Sequence, residues 1–323
     1  MLELLFWIGL FIAGFLIIYF SADIFIDNLK EVCIIYGVSP FIIGILVLGI
    51  DPEESIASIV AAFNGLSYLA VGNVIGNSIL SLALCFALPA FFYRIDLKSV
   101  SQFYFMILYA CMIVILFSFF LQLGLFIFGL IAIGIYFYYL IWNLKHVSKE
   151  GKVDIVDIKE IIQEIEEEKE PLKGVSKKKK IFLVFLGLAL IILGGELLIF
   201  SAEYIIELTR ISEAFFGFII IAFITNVEEL TLIFKSIKKQ SIEIGLGGMI
   251  GKIIWNLSFT FGLSGIIALN IGFSPILLLN WLILLVLIIY YQIKSMTKSL
   301  NKLDAIILII FLICFLLFNI IQI

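Results

Sequence analysis

Long apolar stretches recur along almost the whole chain and are separated by short polar connections. A helical crossing of a bilayer needs about 20 mostly apolar residues, and each stretch meets that length. The alternating pattern of a membrane barrel is absent, so the stretches predict helices. About ten transmembrane helices are predicted, near residues 3–22, 40–64, 68–93, 101–121, 123–143, 180–200, 214–235, 243–269, 274–293 and 304–322.

Composition agrees with a chain that lies in a bilayer. Of the 323 residues 63% are hydrophobic and 14% are charged, and the mean hydropathy is +1.22. A soluble globule needs a more polar surface than this composition supplies. The first stretch has no basic residue before it and carries Glu3, which argues against a cleaved signal peptide. The predicted fold class is therefore an all-α integral membrane protein.

The sequence lacks the motifs of membrane enzymes. It contains no H-E-x-x-H zinc pair and no G-x-S-x-G elbow, and its single histidine lies outside the predicted spans. The four cysteines have neither metal nor disulfide spacing and are interpreted as packing residues. We expect no enzymatic activity, no cofactor and no nucleic-acid partner. The expected partners are the lipid bilayer and small cations, while protein partners stay open.

Basic residues fall almost entirely on one side of a ten-span arrangement. All but two of the 21 Lys and Arg lie in five alternate connections, near Lys30, near Arg94, across 145–180, at 235–239 and at 294–302. The exceptions are Arg210, in an opposite connection, and Lys252, inside a span. Because basic connections stay in the cytoplasm, we expect a plasma- or inner-membrane protein with both termini outside and the central loop cytoplasmic.

A charged segment divides the chain into two parts of five predicted spans each. Residues 144–179 hold nine acidic residues and most of the basic run 177–180, and we interpret them as a cytoplasmic linker anchored at the membrane surface. Isoleucines at 158, 162 and 165 have the spacing of a short amphipathic helix. The predicted organisation is a first five-helix repeat at 1–143, the linker at 144–179, and a second five-helix repeat at 180–323.

The two halves resemble each other. The segment FLIIYFSADIFIDNL at 15–29 resembles LIFSAEYIIEL at 198–208, and each precedes an apolar stretch with a carboxylate pair, in GIDPEES at 49–55 and ITNVEEL at 224–230. A Gly-rich stretch follows each pair. Five spans per half make the second half enter the membrane from the opposite side. We therefore predict inverted repeats whose carboxylate segments meet near the midplane.

The carboxylate pairs are the main candidates for function. Ionised groups at membrane depth are costly unless they are paired, hydrated or bound to a cation. Neighbours on a helix point about 100° apart, so we expect Glu54 and Glu229 to face the site and Glu53 and Glu228 to lie at its edge. For Asp51 two interpretations stay open, a cap of the helix after the break made by Pro52 and a role in the site.

Polar residues four apart predict further shared helix faces. These sets are Asn73, Asn77 and Ser81; Lys252, Asn256 and Thr260; and Thr225 with Glu229. Small polar residues also serve as packing contacts between membrane helices. We interpret Ser81 and Thr260 in that way, and Asn77 and Asn256 as lining of the site.

These regions resemble the alpha-repeats of the sodium/calcium exchanger family, in which G-T-S-L-P-E is followed by G-N-x-x-G-S-N. In the first half GIDPEE at 49–54 and GNVIGNS at 72–78 stand in their places, and in the second half ITNVEE at 224–229 and GGMIGKI at 247–253. The resemblance implies that Glu54 and Glu229 bind the metal ion. The ion-binding set that it implies is Glu54, Glu229, Asn77, Asn256, Thr225, Ser58 and Asn73. The residues expected to modify the site are Lys252, Asn226, Asp51, Glu53 and Glu228.

The site departs from the family pattern at several positions. Ile50 replaces a threonine, Asn77 a serine, Asn256 an acidic residue and Lys252 a serine. An ammonium has three donors and no acceptor, so it cannot coordinate a metal. Lys252 is therefore predicted to stand in for one bound cation and to lower the negative charge of the site.

The resemblance leads us to expect an antiporter of sodium/calcium-exchanger type that works by alternating access and moves Ca²⁺, Na⁺ or H⁺. Two alternatives stay open. One is a proton-coupled or other-cation exchanger, which the reduced charge would favour. The other is a transport-inactive membrane scaffold or sensor, in which ligand residues have been lost while the layout persists.

Overall fold

The computed structural model describes residues 2–36, 51–97, 101–121, 123–150, 177–226, 229, 242–297 and 299–320. Nearly all residues of this part of the chain are helical, and its strands are one short antiparallel pair. The all-α character predicted from the apolar stretches is therefore confirmed.

The first half contributes five described helices and one strand. Their bounds are α1 Leu2–Ile35, α2 Pro52–Phe63, α3 Ser67–Phe92, β1 Ile95–Asp96, α4 Gln102–Ser118 and α5 Gly124–Glu150. Helix α3 widens into a π-helical turn at Ser81–Cys85.

The second half also contributes five described helices and one strand. Its elements are α6 Lys177–Thr209, α7 Glu213–Thr225, α8 at 242–268, α9 Pro275–Thr297, β2 Ser299–Leu300 and α10 Lys302–Ile320. Helix α7 contains a π-helical segment at Phe216–Ile221, and α8 contains one at Asn256–Thr260. The π-helical turns of α3 and α8 both begin five residues after a glycine, Gly76 and Gly251.

Seven helices of the described part are long and apolar enough to cross a membrane, namely α1, α3, α5, α6, α8, α9 and α10. Helices α4 and α7 are apolar but shorter. Helix α2 has 12 residues and lies in the span predicted at 40–64, of which residues 40–50 lie outside the described residues. The chain is a multi-pass membrane protein.

The helices extend beyond several predicted boundaries. Helix α1 has 34 residues and α6 has 33, so the spans predicted at 3–22 and 180–200 are parts of longer helices. No proline or glycine interrupts residues 15–35, which lets α1 continue into its polar end. Helix α5 runs to Glu150 and α6 begins at Lys177, so both helices enter the predicted linker. The amphipathic helix expected near 158–165 lies outside the described residues.

Helices α1 and α6 pack against each other along their length. A Cβ added to Gly14 would lie 2.7 Å from the backbone N of Leu198 and 2.9 Å from the carbonyl oxygen of Gly194. Further along, Lys180 forms an ion pair with Glu31. Early residues of one helix therefore meet late residues of the other, and the pair is antiparallel.

Helix α3 lies at the centre of the protein. All residues from Leu69 to Leu80 are buried, and close contact with α7 depends on glycine: a Cβ on Gly217 would lie 3.0 Å from the Cα of Leu69. The side chain of Glu213, the first residue of α7, accepts a hydrogen bond from the backbone N–H of Leu69 at 2.9 Å. Asn77 meets Thr225 two turns later, so α3 and α7 run parallel.

Polar contacts bring the connections between helices of the first half close to those of the second half. Strands β1 and β2 pair Ile95 with Leu300, and the Arg94 guanidinium donates to the Ser299 hydroxyl at 3.0 Å. The basic connections after α3 and after α9 are therefore adjacent. Elsewhere the Tyr68 hydroxyl, at the start of α3, donates to a carbonyl in the connection between α8 and α9.

Candidate functional site

The first carboxylates lie at the N-terminus of α2. Asp51 is the N-cap, in agreement with one of its two interpretations, and Pro52 occupies the first turn, where its missing N–H costs no hydrogen bond. The Glu54 N–H lies 3.4 Å from the Asp51 carboxylate. Both side chains are buried, at 1% and 2% exposure. The positive end of the helix dipole stabilises negative charge at this position.

The second carboxylate follows the end of α7. That helix ends at Thr225, with Asn226 as its C-cap, and Glu229 lies beyond it. Thr225 and Glu229 were expected to share one helix face because they are four apart, but Glu229 lies outside α7. Thr225 instead bonds back to carbonyls of its own helix. Val227 and Glu228 lie outside the described residues.

Three carboxylates converge where these helix ends meet. Ligand oxygens of Asp51, Glu54 and Glu229 all lie within 4.8 Å of one another, and all three side chains are buried. Sequence reasoning counted two inward carboxylates; the structure adds Asp51, whose capping role holds it beside Glu54. Buried charges of one sign at this distance are stable only with a compensating cation or proton.

A lysine of α8 supplies one such positive charge. The Lys252 ammonium lies 3.2 Å from a carboxylate oxygen of Asp51 and 3.2 Å from one of Glu229. The lysine side chain is 16% exposed, against 2% and 3% for these partners. It therefore bridges the two halves on the more accessible flank of the carboxylate cluster.

Amide and hydroxyl groups form a second layer around Glu54. The amide of Asn77 donates to the Glu54 carboxylate and, at 3.0 Å, to the Thr225 hydroxyl. The Ser81 hydroxyl lies 3.2 Å from the Asn77 side-chain oxygen and 2.8 Å from that of Asn226. The Asn226 amide donates in turn to the Asn77 carbonyl at 3.3 Å. Ser81, interpreted from sequence as a packing residue, is part of this network.

Two further asparagines fix α3 against α2 and α8. The Asn73 amide donates to the Ser58 hydroxyl at 2.8 Å and to the Glu54 carbonyl at 3.3 Å. The Asn256 amide donates to the Val74 carbonyl at 3.1 Å. The side-chain oxygens of both asparagines are buried and accept no hydrogen bond from the described residues. Amide oxygens of this kind are suitable ligands for hard cations.

Lys252, Asn256 and Thr260, which were predicted to share one face of α8, contact different parts of the protein. Lys252 contacts the carboxylates, Asn256 contacts α3, and Thr260 contacts α2, where its hydroxyl lies 2.7 Å from that of Ser55. The π-helical turn at Asn256–Thr260 adds backbone between the last two and rotates Thr260 away from the simple spacing of four. The indole N–H of Trp255 also donates to Ser55, at 2.8 Å. Ser55 and Trp255 were not predicted as part of the site: Ser55 ends the GIDPEES segment but was given no role, and Trp255 lies in no recognised motif.

The remaining predicted residues are placed as follows. Glu53 is buried at 5% exposure but is not one of the three clustered carboxylates. Asn226 lies in the amide layer. Glu228 lies outside the described residues, so its predicted place at the edge of the site stays a prediction.

Comparison with known proteins identifies the family. The profile of the family described as sodium/calcium exchanger protein matches residues 6–145 and 179–321. The chain belongs to this family. It is a membrane cation antiporter by family, which agrees with the resemblance seen in the carboxylate and glycine motifs.

Known relatives share most of the length of this chain. It is 25% identical over 252 residues to an uncharacterized membrane protein of Methanocaldococcus jannaschii, covering 76% of each chain. It is also 25% identical over 267 residues to the inner membrane protein YrbG of Escherichia coli K12, covering 80% of this chain and 79% of that protein.

Solved structures of the sodium-calcium exchanger NCX_Mj have the same fold. One of them, soaked with 10 mM Na⁺ and 10 mM Sr²⁺, matches with a TM-score of 0.58 and 20% identity, covering 97% of this chain and 98% of that one. A second, soaked with 2.5 mM Na⁺ and 0.1 mM Ca²⁺, matches with a TM-score of 0.56 and 19% identity.

Proposed function

We propose that this protein exchanges cations across the membrane by alternating access, with an ion site altered from the family pattern. The observation that carries the proposal is the cluster of Asp51, Glu54 and Glu229, buried at two helix ends that belong to different halves. A site at such a junction is exposed to one side or the other when one half rocks against the other.

The packing of the helices supports ten spans in two inverted five-helix repeats. Helices α1 and α6 occupy equivalent places in the two halves and run antiparallel, which inversion requires. Helix α3 runs parallel to α7, and α2 runs parallel to α8 through its contacts at Asp51–Lys252 and Ser55–Thr260. Each of these pairs joins a helix of one half to a helix of the other, and exchanging the two halves turns the α3–α7 pair into the α2–α8 pair. A two-fold axis in the membrane plane accounts for all three.

The charge partition supports a membrane orientation with both termini outside and the 144–179 linker in the cytoplasm. Adjacency of the basic connections after α3 and α9 agrees with this orientation. A location in the plasma or inner membrane accords with the name of the relative in E. coli.

The residues of the site either bind the ion or modify the site. Glu54 and Glu229 are the main ligands, and neutral oxygens come from Asn77, Thr225, Asn73, Ser58 and Asn256. Asp51, Glu53, Asn226, Glu228 and Lys252 modify the site by charge or by positioning. Carboxylate, amide and hydroxyl oxygens form a hard-cation site, which suits the Na⁺ and Ca²⁺ of the family.

The Lys252 ammonium favours an alternative to sodium/calcium exchange. The Lys252 ammonium leaves the cluster less negative than its three carboxylates would be alone, which weakens divalent binding more than monovalent binding. Exchange coupled to protons, or of a different monovalent cation, is therefore the alternative to sodium/calcium exchange.

Flux into proteoliposomes tests the proposal. Purified protein is reconstituted with ⁴⁵Ca²⁺ or ²²Na⁺ outside, and uptake is driven in turn by an internal Na⁺, Ca²⁺ or H⁺ gradient. We expect uptake that depends on one of these opposing gradients and is abolished in the double variant Glu54→Gln, Glu229→Gln. A transport-inactive scaffold would give no uptake above empty liposomes under any gradient.

A further inference from the structure

The position of Lys252 has a consequence for how many cations the site holds. Its ammonium lies 3.2 Å from Asp51 and 3.2 Å from Glu229, so it bridges a carboxylate of the first half and one of the second. A cation that bridged the same two carboxylates would have to occupy the same place. The ammonium and such a cation therefore exclude each other.

The surroundings of the lysine distinguish this place from the rest of the site. The Glu54 carboxylate accepts from the Asn77 amide, and the neutral oxygens of Thr225 and Ser81 lie on that same flank. The ammonium thus fills the place between Asp51 and Glu229. The oxygens around Glu54 are then the part of the site that is left for cargo.

We propose that Lys252 is a built-in cation that permanently occupies one subsite, between Asp51 and Glu229, and so lowers by one the number of monovalent cations exchanged per cycle. This inference rests on the proposed antiport. The tethered charge stays with the protein through the cycle, so it neutralises the carboxylates in both access states and carries no net charge across. Lys252 thereby determines coupling ratio and selectivity without touching the transported ion.

Three substitutions separate this role from simple structural pairing. Lys252→Ser empties the subsite and adds a hydroxyl oxygen, Lys252→Met removes the charge and keeps the apolar stem, and Lys252→Arg keeps the charge. Equilibrium binding of ²²Na⁺ to purified protein is measured for each. We expect Lys252→Ser to bind one more Na⁺ per protein than the wild type, with the number unchanged in Lys252→Arg. Lys252→Met should also bind the additional Na⁺, but more weakly than Lys252→Ser, because it supplies no oxygen to the subsite. Equal Na⁺ stoichiometry in the wild type and Lys252→Ser would overturn the inference.

A chemical rescue tests the same subsite without radioactive sodium. Lys252→Ala leaves a space of ammonium size beside Asp51 and Glu229, which methylammonium can fill and tetramethylammonium is too large to fill. We expect methylammonium to raise the melting temperature of Lys252→Ala by more than that of the wild type, and tetramethylammonium to have no such effect. An identical response of the two proteins to methylammonium would contradict an ammonium subsite.

The coupling ratio is the functional readout. With the cation pair identified by the flux experiment, the opposing gradients at which net flux stops are measured against membrane potential. We expect the ratio in Lys252→Ser to rise by one monovalent cation. If the wild type and Lys252→Ser both show flux with the same coupling ratio, this inference is wrong and the proposed antiport still stands. Absence of flux in the wild type would instead sink the antiport, and the binding and rescue measurements would still decide whether the subsite exists.

Discussion

Replacing Glu54 with glutamine removes one charge from the carboxylate cluster while keeping the size of the side chain and its hydrogen bond to Asn77. Oxygens of the three carboxylates lie within 4.8 Å of one another, so a bound cation lies within about that distance of each. At an effective dielectric constant of about 20, one unit charge at that distance contributes about 3.5 kcal/mol to binding of a monovalent ion and about twice that for a divalent ion. We expect Na⁺ binding to weaken by about two orders of magnitude or more, and Ca²⁺ binding by more than Na⁺.

The same variant should fold as well as the wild type, since it removes a buried charge and the repulsion between carboxylates. Calorimetric titration with Na⁺ and Ca²⁺ gives the affinities, and thermal unfolding in detergent gives the stability. The matched control is Glu196→Gln, because Glu196 is exposed on α6 and accepts a long hydrogen bond from the Asn64 amide, at 3.5 Å, away from the carboxylate cluster. Glu53→Gln should weaken binding less than Glu54→Gln. Full-strength cation binding by Glu54→Gln, with Glu196→Gln also normal, would refute the assignment of this carboxylate.

Three further predictions concern topology and packing. In a cysteine-free background, a cysteine placed within 145–180 should be protected from an impermeant thiol reagent in intact cells while one at the C-terminus reacts; the reverse pattern would contradict the proposed orientation. Gly76→Ala should lower the free energy of unfolding by about 1–3 kcal/mol, because its Cβ would lie 2.7 Å from the Cα of Phe218 in α7; Gly9→Ala, with open space around its Cβ, is the control and should be neutral. Trp255→Phe should cost about 1 kcal/mol by removing the hydrogen bond to Ser55, and unchanged denaturant unfolding would show that this bond contributes nothing.

The sequence predicted most of what depends on local pattern. Apolar stretches as long as a membrane crossing predicted helices, and the helices that the structure describes lie where those stretches do. Helices α1 and α6 extend well beyond their predicted ends. The carboxylate segments stood out because charge inside apolar sequence is costly. A helix cap was one of the two interpretations of Asp51, since a polar residue before proline at a helix start is a local signal.

The composition of the site could be predicted only in part, because the spacing of residues on one helix says which side chains share a face but not what that face meets. Spacing grouped Lys252, Asn256 and Thr260, yet the three contact the carboxylates, α3 and α2 respectively. The π-helical turn that separates the last two is invisible in an apolar stretch. Pairing of Lys252 with Asp51 and Glu229 joins residues about 200 and 23 positions apart, so no local pattern encodes it.

What the sequence by itself determined is therefore the membrane class and the segments that carry charge, and both follow from the free energy of placing each residue in water or hydrocarbon. The tertiary structure decided which charges meet. Glycines at Gly14, Gly76 and Gly217 let backbones of the two halves approach closely, and that approach brings three carboxylates and one lysine into a single cluster. Contacts between distant segments depend on how all the helices pack together, which is a property of the whole fold and not of any stretch within it.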